Sequence, residues 1–173
     1  MFENIQKINI KFVDKKVITV ENKSQGLNTL NFIKLSENAI VPKRATSGAA
    51  GMDLCACMEE NVLLKAGERA LIHTGIAVAL PSSEYVALLF GRSGLAIKHG
   101  LTLSNSVGVI DSDYRGEICV GLCNLGSEDY IIAPGERIAQ LVIMRVETPE
   151  PVEVEKLDET VRGAGGFGST GKI

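Results

Sequence analysis

Short runs of β-branched residues and leucine, separated by Gly, Pro, Asn, Asp and Ser, constrain the fold of this chain most strongly. Each run has the length of a single strand, and the residues between runs are those that form turns. No long segment carries helical periodicity. This pattern is typical of a β-sandwich, jelly roll or barrel. The predicted strands cover residues 31–35, 52–58, 69–79, 84–90, 117–124, 130–132 and 137–146.

One short helix is predicted over residues 93–99. Ser93 is a suitable N-cap residue, and Leu95 and Ala96 are good helix formers. Gly100 follows at the position where glycine commonly ends a helix. The expected fold class is therefore all-β with one short helix.

The 173 residues suit one domain with additional chain at both ends. Residues 29–146 are predicted to form the β domain. Residues 1–28 are an N-terminal extension, in which alternating apolar residues indicate a possible extra hairpin. Residues 147–173 are predicted to form an extended arm, because this segment is acidic, contains prolines and ends in a glycine-rich motif.

The composition argues against several classes of protein. A formal net charge of −3 provides no broad basic surface for nucleic acid. The sequence has no apolar run of membrane-spanning length and no recognisable signal peptide, so we expect a cytoplasmic protein without a membrane partner. The four cysteines (Cys55, Cys57, Cys119 and Cys123) are expected to be reduced, small buried residues rather than disulfides or zinc ligands, because their spacing fits zinc pairs poorly.

The segment from Gly91 to Gly94 is a candidate anion site. A strand-to-helix turn directs free backbone N–H groups at one point, and Arg92 would reinforce a phosphate there. An ordinary turn with a surface arginine is an equally good interpretation.

The segment from Asn105 to Glu117 contains a candidate general base. Asp111 follows the apolar pair Val109 and Ile110, so we expect a partly desolvated carboxylate at a strand end that could take a proton from water. Taken alone, Asp111 is more simply explained as a turn former.

Asp53 and Gln140 are polar residues within predicted strands. An inward Asp53 would need a partner, either a metal-bound water or an arginine, whereas an outward one would be solvated. Gln140 could hold a backbone loop or a phosphate, or simply follow a glycine turn into a core strand.

The C-terminal segment from Arg162 to Gly171 is rich in glycine. Glycine backbone can approach an anion closely, Ser169 and Thr170 add hydroxyl donors, and Phe167 could cover a planar ring. Taken alone, the segment is more simply explained as a disordered tail.

Five segments in order resemble the five successive motifs of the trimeric deoxyuridine triphosphatase (dUTPase) family. They are Ala50–Leu54, Gly91–Ala96, Gly108–Gly116, Gly135–Leu141 and Arg162–Gly171. The resemblance spans roughly residues 30 to 171. Met52 departs from the family pattern, which usually has tyrosine there.

The resemblance implies an all-β distorted jelly roll, a β-clip type of barrel with one short helix, assembled as a homotrimer. It implies three active sites, each built from three chains, with the C-terminal arm reaching a neighbouring subunit. It also implies hydrolysis of dUTP to dUMP and pyrophosphate, with Mg²⁺ held mainly by the triphosphate. Such an activity limits uracil incorporation into DNA and supplies dUMP.

The resemblance also assigns roles to individual residues. Asp111 resembles the carboxylate that activates water, Tyr114 the aromatic beside the deoxyribose, and Asp53 the acid near the metal's water shell. The uracil-reading hairpin would consist of Asn105, Gly108, Val109 and Ile110. The phosphate ligands would be Arg92, Ser93, Gly94 and Gln140. The closing arm would contribute Arg162, Phe167, Gly168, Ser169 and Thr170.

Two other functions stay open from the sequence. A dCTP deaminase or bifunctional relative would share the fold, and Glu117 is the nearby candidate for its proton carrier. A non-catalytic nucleotide-binding trimer would not need Asp111.

Overall fold

The computed structural model describes residues 29–166, which form a β domain followed by an extended segment. Eleven strands and one helix lie in this range. They are β1 (Asn31–Lys34), β2 (Met52–Cys55), β3 (Val62–Leu64), β4 (Arg69–His73), β5 (Ile76–Ala79), β6 (Tyr85–Gly91), α1 (Ser93–His99), β7 (Leu101–Leu103), β8 (Gly108–Ile110), β9 (Cys119–Asn124), β10 (Tyr130–Ile132) and β11 (Arg137–Arg145). The expected all-β class with one short helix is confirmed.

The strands form four antiparallel sheets. The largest has the order β2-β11-β6-β8, and a three-stranded sheet has the order β4-β9-β7. Two ribbons, β1-β5 and β10-β3, complete the set within the described range. The strands that pair are mostly distant in sequence, so the sheets bring the candidate motifs together.

The core lies between the sheets because successive side chains of a strand point to opposite faces. Strand β9 shows this alternation: Val120, Leu122 and Asn124 are buried, whereas Cys119 and Cys123 are only partly buried. Asn124 is the one side chain of these that needs hydrogen bonds. Its amide donates to the carbonyls of Leu64 and Glu128 and accepts from the Gly126 N–H, so the buried amide is satisfied.

The strands differ from the prediction in three ways. The predicted strand 52–58 is shorter, since β2 ends at Cys55. The predicted strand 69–79 is two strands, because the chain turns at Gly75, which has a φ of 65°. Strands β3, β7 and β8 were not predicted. Each has three residues, which is too short for alternation to be informative; the equally short β10 was predicted because its residues, Tyr130 to Ile132, all favour strands.

The helix has the predicted bounds, but its cap is not the predicted one. Arg92 occupies the N-cap position with extended backbone angles, Ser93 is the first helical residue, and the helix has no side-chain cap within the described chain. The expectation that Ser93 caps the helix is therefore wrong. Gly100 ends the helix in the left-handed conformation, as expected.

Residues 147–166 contain no helix or strand, and nearly all of them are exposed. The predicted N-terminal hairpin lies outside the described residues. No helix in residues 29–166 has the length and apolar character needed to cross a membrane.

Candidate active site

Three strands of the largest sheet place Asp53 against two arginines. Arg92 lies just after β6, Asp53 lies on β2, and Arg137 begins β11, which runs between those two strands. Asp53 Oδ1 lies 3.3 Å from Arg92 Nε, and Oδ2 lies 3.1 Å from Arg137 Nη1. The Asp53 side chain is only 17% exposed, so its carboxylate needs a partner. The sequence left a metal-bound water or an arginine as that partner, and the described chain provides arginine.

Gln140 joins the same cluster through the register of β11. It is opposite Asp53 on one side and opposite Phe90 on the other. Its side chain lies over the backbone at Gly51, where an added Cβ would come within 2.8 Å of Gln140 Oε1. Gly51 is therefore needed for the close packing of the first and fourth motifs.

Ser93 and Gly94 form the exposed first turn of α1, immediately beside the Asp53 cluster. Arg92 is held in place by a second bond, from its Nη1 to the Arg137 carbonyl at 2.9 Å. The free N–H groups of the turn and the two guanidinium groups present positive potential at one edge of the sheet. An anion such as a phosphate can be bound at this edge.

The connection between β7 and β8 forms the predicted hairpin region. Ser106 has a φ of 64°, and the Val107 N–H donates to the Asn105 carbonyl at 2.7 Å, which makes a tight turn. Gly108 packs directly against Leu89 of β6, since an added Cβ would come within 2.9 Å of that side chain. The turn from Asn105 to Val107 is exposed and leaves backbone groups available to a ligand.

Asp111 follows β8 directly, as expected, but its environment differs from the expected one. The residue is exposed in the single chain, so the predicted partial desolvation is not present there. Tyr114 is 45% exposed and lies over Gly116, and its hydroxyl donates to the Glu117 carbonyl at 3.0 Å. The turn therefore presents an exposed carboxylate and an exposed aromatic ring three residues apart.

The strand register separates these two clusters within one chain. Because Ile110 is opposite Ala87, Asp111 lies near Val86, at the start of β6. Arg92 lies at the other end of β6, six residues further on. At the usual rise per residue, this separation is about 20 Å. One chain therefore does not bring the candidate base and the candidate phosphate ligands together.

The closing motif is described only in part. Arg162 is exposed, and its Nε donates to the Gly165 carbonyl at 2.9 Å. The predicted site residues Phe167, Gly168, Ser169 and Thr170 lie outside the described residues.

Two residues with well-defined contacts were not identified from the sequence. Arg137 completes the Asp53 cluster, and His73 binds Glu117, with Nδ1 and Oε2 2.8 Å apart. The other oxygen of Glu117 accepts the Gly75 N–H at 2.7 Å. A glutamate engaged in this way is poorly placed to carry protons for a deaminase.

Two cysteines near these clusters have altered acidity. Burial raises the pKa of the Cys55 thiol, and the charge of Asp53 raises it further. Burial also raises the pKa of Cys119 to about 11, with Glu117 adding to the effect. Neither group is a ready thiolate nucleophile at neutral pH.

Comparison with known proteins identifies the family. The family model "dUTPase" matches residues 37–171. A deoxyuridine 5'-triphosphate nucleotidohydrolase of Wolinella succinogenes is 53% identical over 143 residues, which are 83% of this chain and 94% of that protein. The protein of the same name from Rickettsia canadensis is 56% identical over 131 residues, which are 76% of this chain and 88% of that protein.

Solved structures show the same relationship. The dUTPase of Staphylococcus bacteriophage 80alpha with dUpNHpp is 35% identical, with a TM-score of 0.75 over 83% of this chain and 99% of that one. A mutant dUTPase from phage phi11 of S. aureus, described with a structural Mg(II) ion, is 32% identical, with a TM-score of 0.68 over 76% of this chain and 100% of that one. The expected jelly-roll type of fold is confirmed, and the chain belongs to the dUTPase family.

Proposed function

We propose that this protein is a dUTP diphosphatase, which hydrolyses dUTP to dUMP and pyrophosphate. One observation carries the proposal: relatives that are more than half identical over at least three quarters of this chain bear this enzyme's name. The 80alpha dUTPase, with a similar fold, was solved with dUpNHpp. Hydrolysis of dUTP would limit uracil in DNA and supply dUMP.

Asp111 is proposed as the general base. Its exposed carboxylate at the end of β8 can accept a proton from a water molecule. The water oxygen then bonds to the α-phosphorus while the bond to the bridging oxygen breaks, and pyrophosphate leaves with that oxygen. The desolvation that this role favours would come from substrate and a neighbouring subunit rather than from Asp111's own chain.

Selectivity for deoxyuridine is proposed to come from the turn at Asn105 and from Tyr114. Backbone groups from Asn105 to Ile110 can pair with the edge of uracil, and a cytosine would leave mismatched buried donors. Tyr114 is anchored at its hydroxyl by the Glu117 carbonyl, so its ring is positioned to pack against a deoxyribose and exclude a 2′-hydroxyl.

Arg92, Ser93, Gly94 and Gln140 are proposed to bind the phosphates. This proposal is supported by the largest sheet, at one end of which the guanidinium groups of Arg92 and Arg137 lie beside the first turn of α1. Because Asp53 fixes Arg92 from one side, the guanidinium needs less reordering when a phosphate binds. Positive groups placed in advance also stabilise charge that develops on the leaving pyrophosphate.

A Mg²⁺ ion would fit beside this phosphate site. Asp53 contacts one arginine with each oxygen, and a carboxylate oxygen has a further lone pair for a water of a hydrated ion. Mg²⁺ commonly keeps several waters and is held by substrate phosphates with one or two carboxylates. When bound, it would neutralise triphosphate charge.

The active site is proposed to form between subunits of a homotrimer. The separation of about 20 Å between Asp111 and Arg92 along β6 supports this proposal, because one chain alone does not bring the two residues together. The C-terminal arm would close the site. Residues 147–166 leave β11 as an exposed segment that could span up to about 70 Å when extended, enough to reach another subunit.

The four cysteines are free, which fits the reducing cytoplasm that we propose as the location. No observation favours deamination, because both oxygens of Glu117 are engaged.

The direct test is product analysis with Mg²⁺ and, separately, dUTP, dCTP, dTTP and UTP. We expect dUMP and pyrophosphate from dUTP alone. Deaminated product from dCTP would assign a deaminase, and the absence of any product would contradict an enzymatic role.

A further inference from the structure

A second cluster of polar side chains lies on the outer face of the three-stranded sheet. His73 on β4 is directly opposite Cys119 on β9, so their side chains share one face of the sheet. Glu117 precedes Cys119 by two residues, and the structure brings its carboxylate to the same point. The cluster is partly exposed, since the side chains of His73 and Glu117 are 25% and 24% exposed.

The three groups converge on one ring nitrogen. His73 Nδ1 lies 2.8 Å from Glu117 Oε2 and 3.6 Å from Cys119 Sγ. All three potential ligand atoms lie within 4.8 Å of one another. A neutral imidazole has one N–H, and Nδ1 can donate it to only one of the two partners. The imidazole N–H therefore serves Glu117, and the Cys119 thiol hydrogen-bonds to Glu117 in turn, so the three groups form one connected cluster.

We propose that His73, Glu117 and Cys119 form a binding site for a thiophilic divalent transition metal of the zinc class. Imidazole nitrogen, carboxylate oxygen and thiolate sulfur are all common zinc ligands, and a water can complete a tetrahedral set. The thiol releases its proton to solvent when the metal binds. The site shares no residue with the proposed Mg²⁺ position at Asp53. It also differs in chemistry, because Mg²⁺ prefers ligand sets made of oxygen atoms alone.

Two of the three distances between ligand atoms lie close to those around such an ion. Metal–ligand bonds of about 2.0–2.3 Å in a tetrahedron place neighbouring ligand atoms about 3.3–3.7 Å apart. The sulfur-to-nitrogen distance already has this value. The oxygen-to-nitrogen distance must open by about half an ångström, which a carboxylate rotation supplies. The Gly75 N–H on the second oxygen of Glu117 would orient the ligating carboxylate.

The bound ion would connect the end of β4 to the start of β9. His73 at the end of β4 and Cys119 at the start of β9 are 46 residues apart in the chain, so the metal would close a long loop. We therefore expect a stabilising metal rather than a catalytic one, and the tests do not depend on dUTP hydrolysis.

The experiment uses the full chain, stripped with chelator and titrated with Co²⁺ in excess Mg²⁺. We expect one tetrahedral Co²⁺ per chain, with a thiolate-to-cobalt charge-transfer band. Cys119→Ser should remove that band. His73→Asn and Glu117→Gln should each weaken binding by about a hundredfold or more, since even outer-shell changes cost up to that amount. Zn²⁺ should displace Co²⁺ and raise the Tm of the parent but not of Cys119→Ser.

Cys123→Ser is the matched control, because Cys123 is also partly buried, lies on the same strand and points to the same face. It should keep the charge-transfer band. The proposal is overturned if the parent binds no stoichiometric Co²⁺, if Cys119→Ser keeps the band, or if Cys123→Ser loses it. Should Cys119→Ser fail to fold, His73→Asn decides the question, because unchanged Co²⁺ affinity in that variant contradicts the site.

Discussion

At the scale of single residues, the candidate site depends on a few polar groups whose settings differ sharply. Asp53 is held by two arginines and largely covered, whereas Asp111 is exposed and has a free carboxylate in the single chain. The ion-paired carboxylate of Asp53 is suited to positioning neighbouring groups, and the unpaired carboxylate of Asp111 is suited to accepting a proton. The two aspartates therefore have different roles in the proposed reaction, although both follow or occupy short strands.

Replacing Asp111 with asparagine should remove turnover and spare dUTP binding. The amide occupies the same space but does not accept the proton, so kcat should fall by about 10²–10⁴-fold, the usual contribution of a general base. Steady-state rates and a binding titration with a non-hydrolysable dUTP analogue check both parts. Asp113→Asn is the matched control, since Asp113 is exposed in the same turn. Wild-type turnover by Asp111→Asn would remove Asp111 from its role.

At the scale of elements, the short helix α1 contains the proposed phosphate-binding turn, and the helix ends at Gly100. This residue has a φ of 70°, and its N–H donates to the last turn of the helix. An added Cβ would meet the backbone nitrogen of Gly126 at 2.3 Å. The helix thus stops where two backbone segments touch.

Gly100→Ala should destabilise the protein more than Gly67→Ala does. Both glycines have positive φ, but nothing lies within 4 Å of a Cβ added at Gly67. Gly67→Ala should therefore cost about 1–2 kcal/mol for the left-handed backbone alone. Gly100→Ala should cost a further 1–3 kcal/mol or so for overpacking. Denaturant unfolding measures the free energy of each, and equal losses would contradict the close contact with Gly126.

At the scale of the whole molecule, the proposed site needs more than one copy of the chain. The register of β6 and β8 places the candidate base and the phosphate ligands at opposite ends of one strand. A closed ring of three identical subunits would bring the two ends together at every interface. The assembly, rather than the single fold, then creates the catalytic geometry.

Two inactive variants should restore activity when they share one trimer. Asp111→Asn and Arg92→Gln chains, co-expressed with different tags and purified through both, form mixed trimers. If each site takes Arg92 from one chain and Asp111 from its neighbour, about one site in three should be intact in every mixed trimer. Each variant alone should be inactive. No activity in mixed trimers of confirmed mass would show that the site lies within one chain.

Deleting the chain from Gly163 onward should slow turnover much more than it reduces stability. Residues 163–166, the described part of the deleted segment, lie outside the core, and residues 147–166 contain no helix or strand. Loss of the closing segment should lower kcat because water is no longer excluded from the phosphates. Thermal unfolding and steady-state kinetics of the truncated protein check the two effects. Normal turnover would contradict the closing role of the arm.

The amino-acid sequence alone was enough to predict the class of fold, most strand positions, the helix and the family. Short alternating runs and turn residues carry local information, and motif order is visible without coordinates. The placement of Asp53 between two arginines, the exposure of Asp111 and the meeting of His73, Glu117 and Cys119 were decided only by tertiary structure. Each depends on which distant strands pair and in what register, and such pairing is set by packing of the whole chain rather than by neighbouring residues.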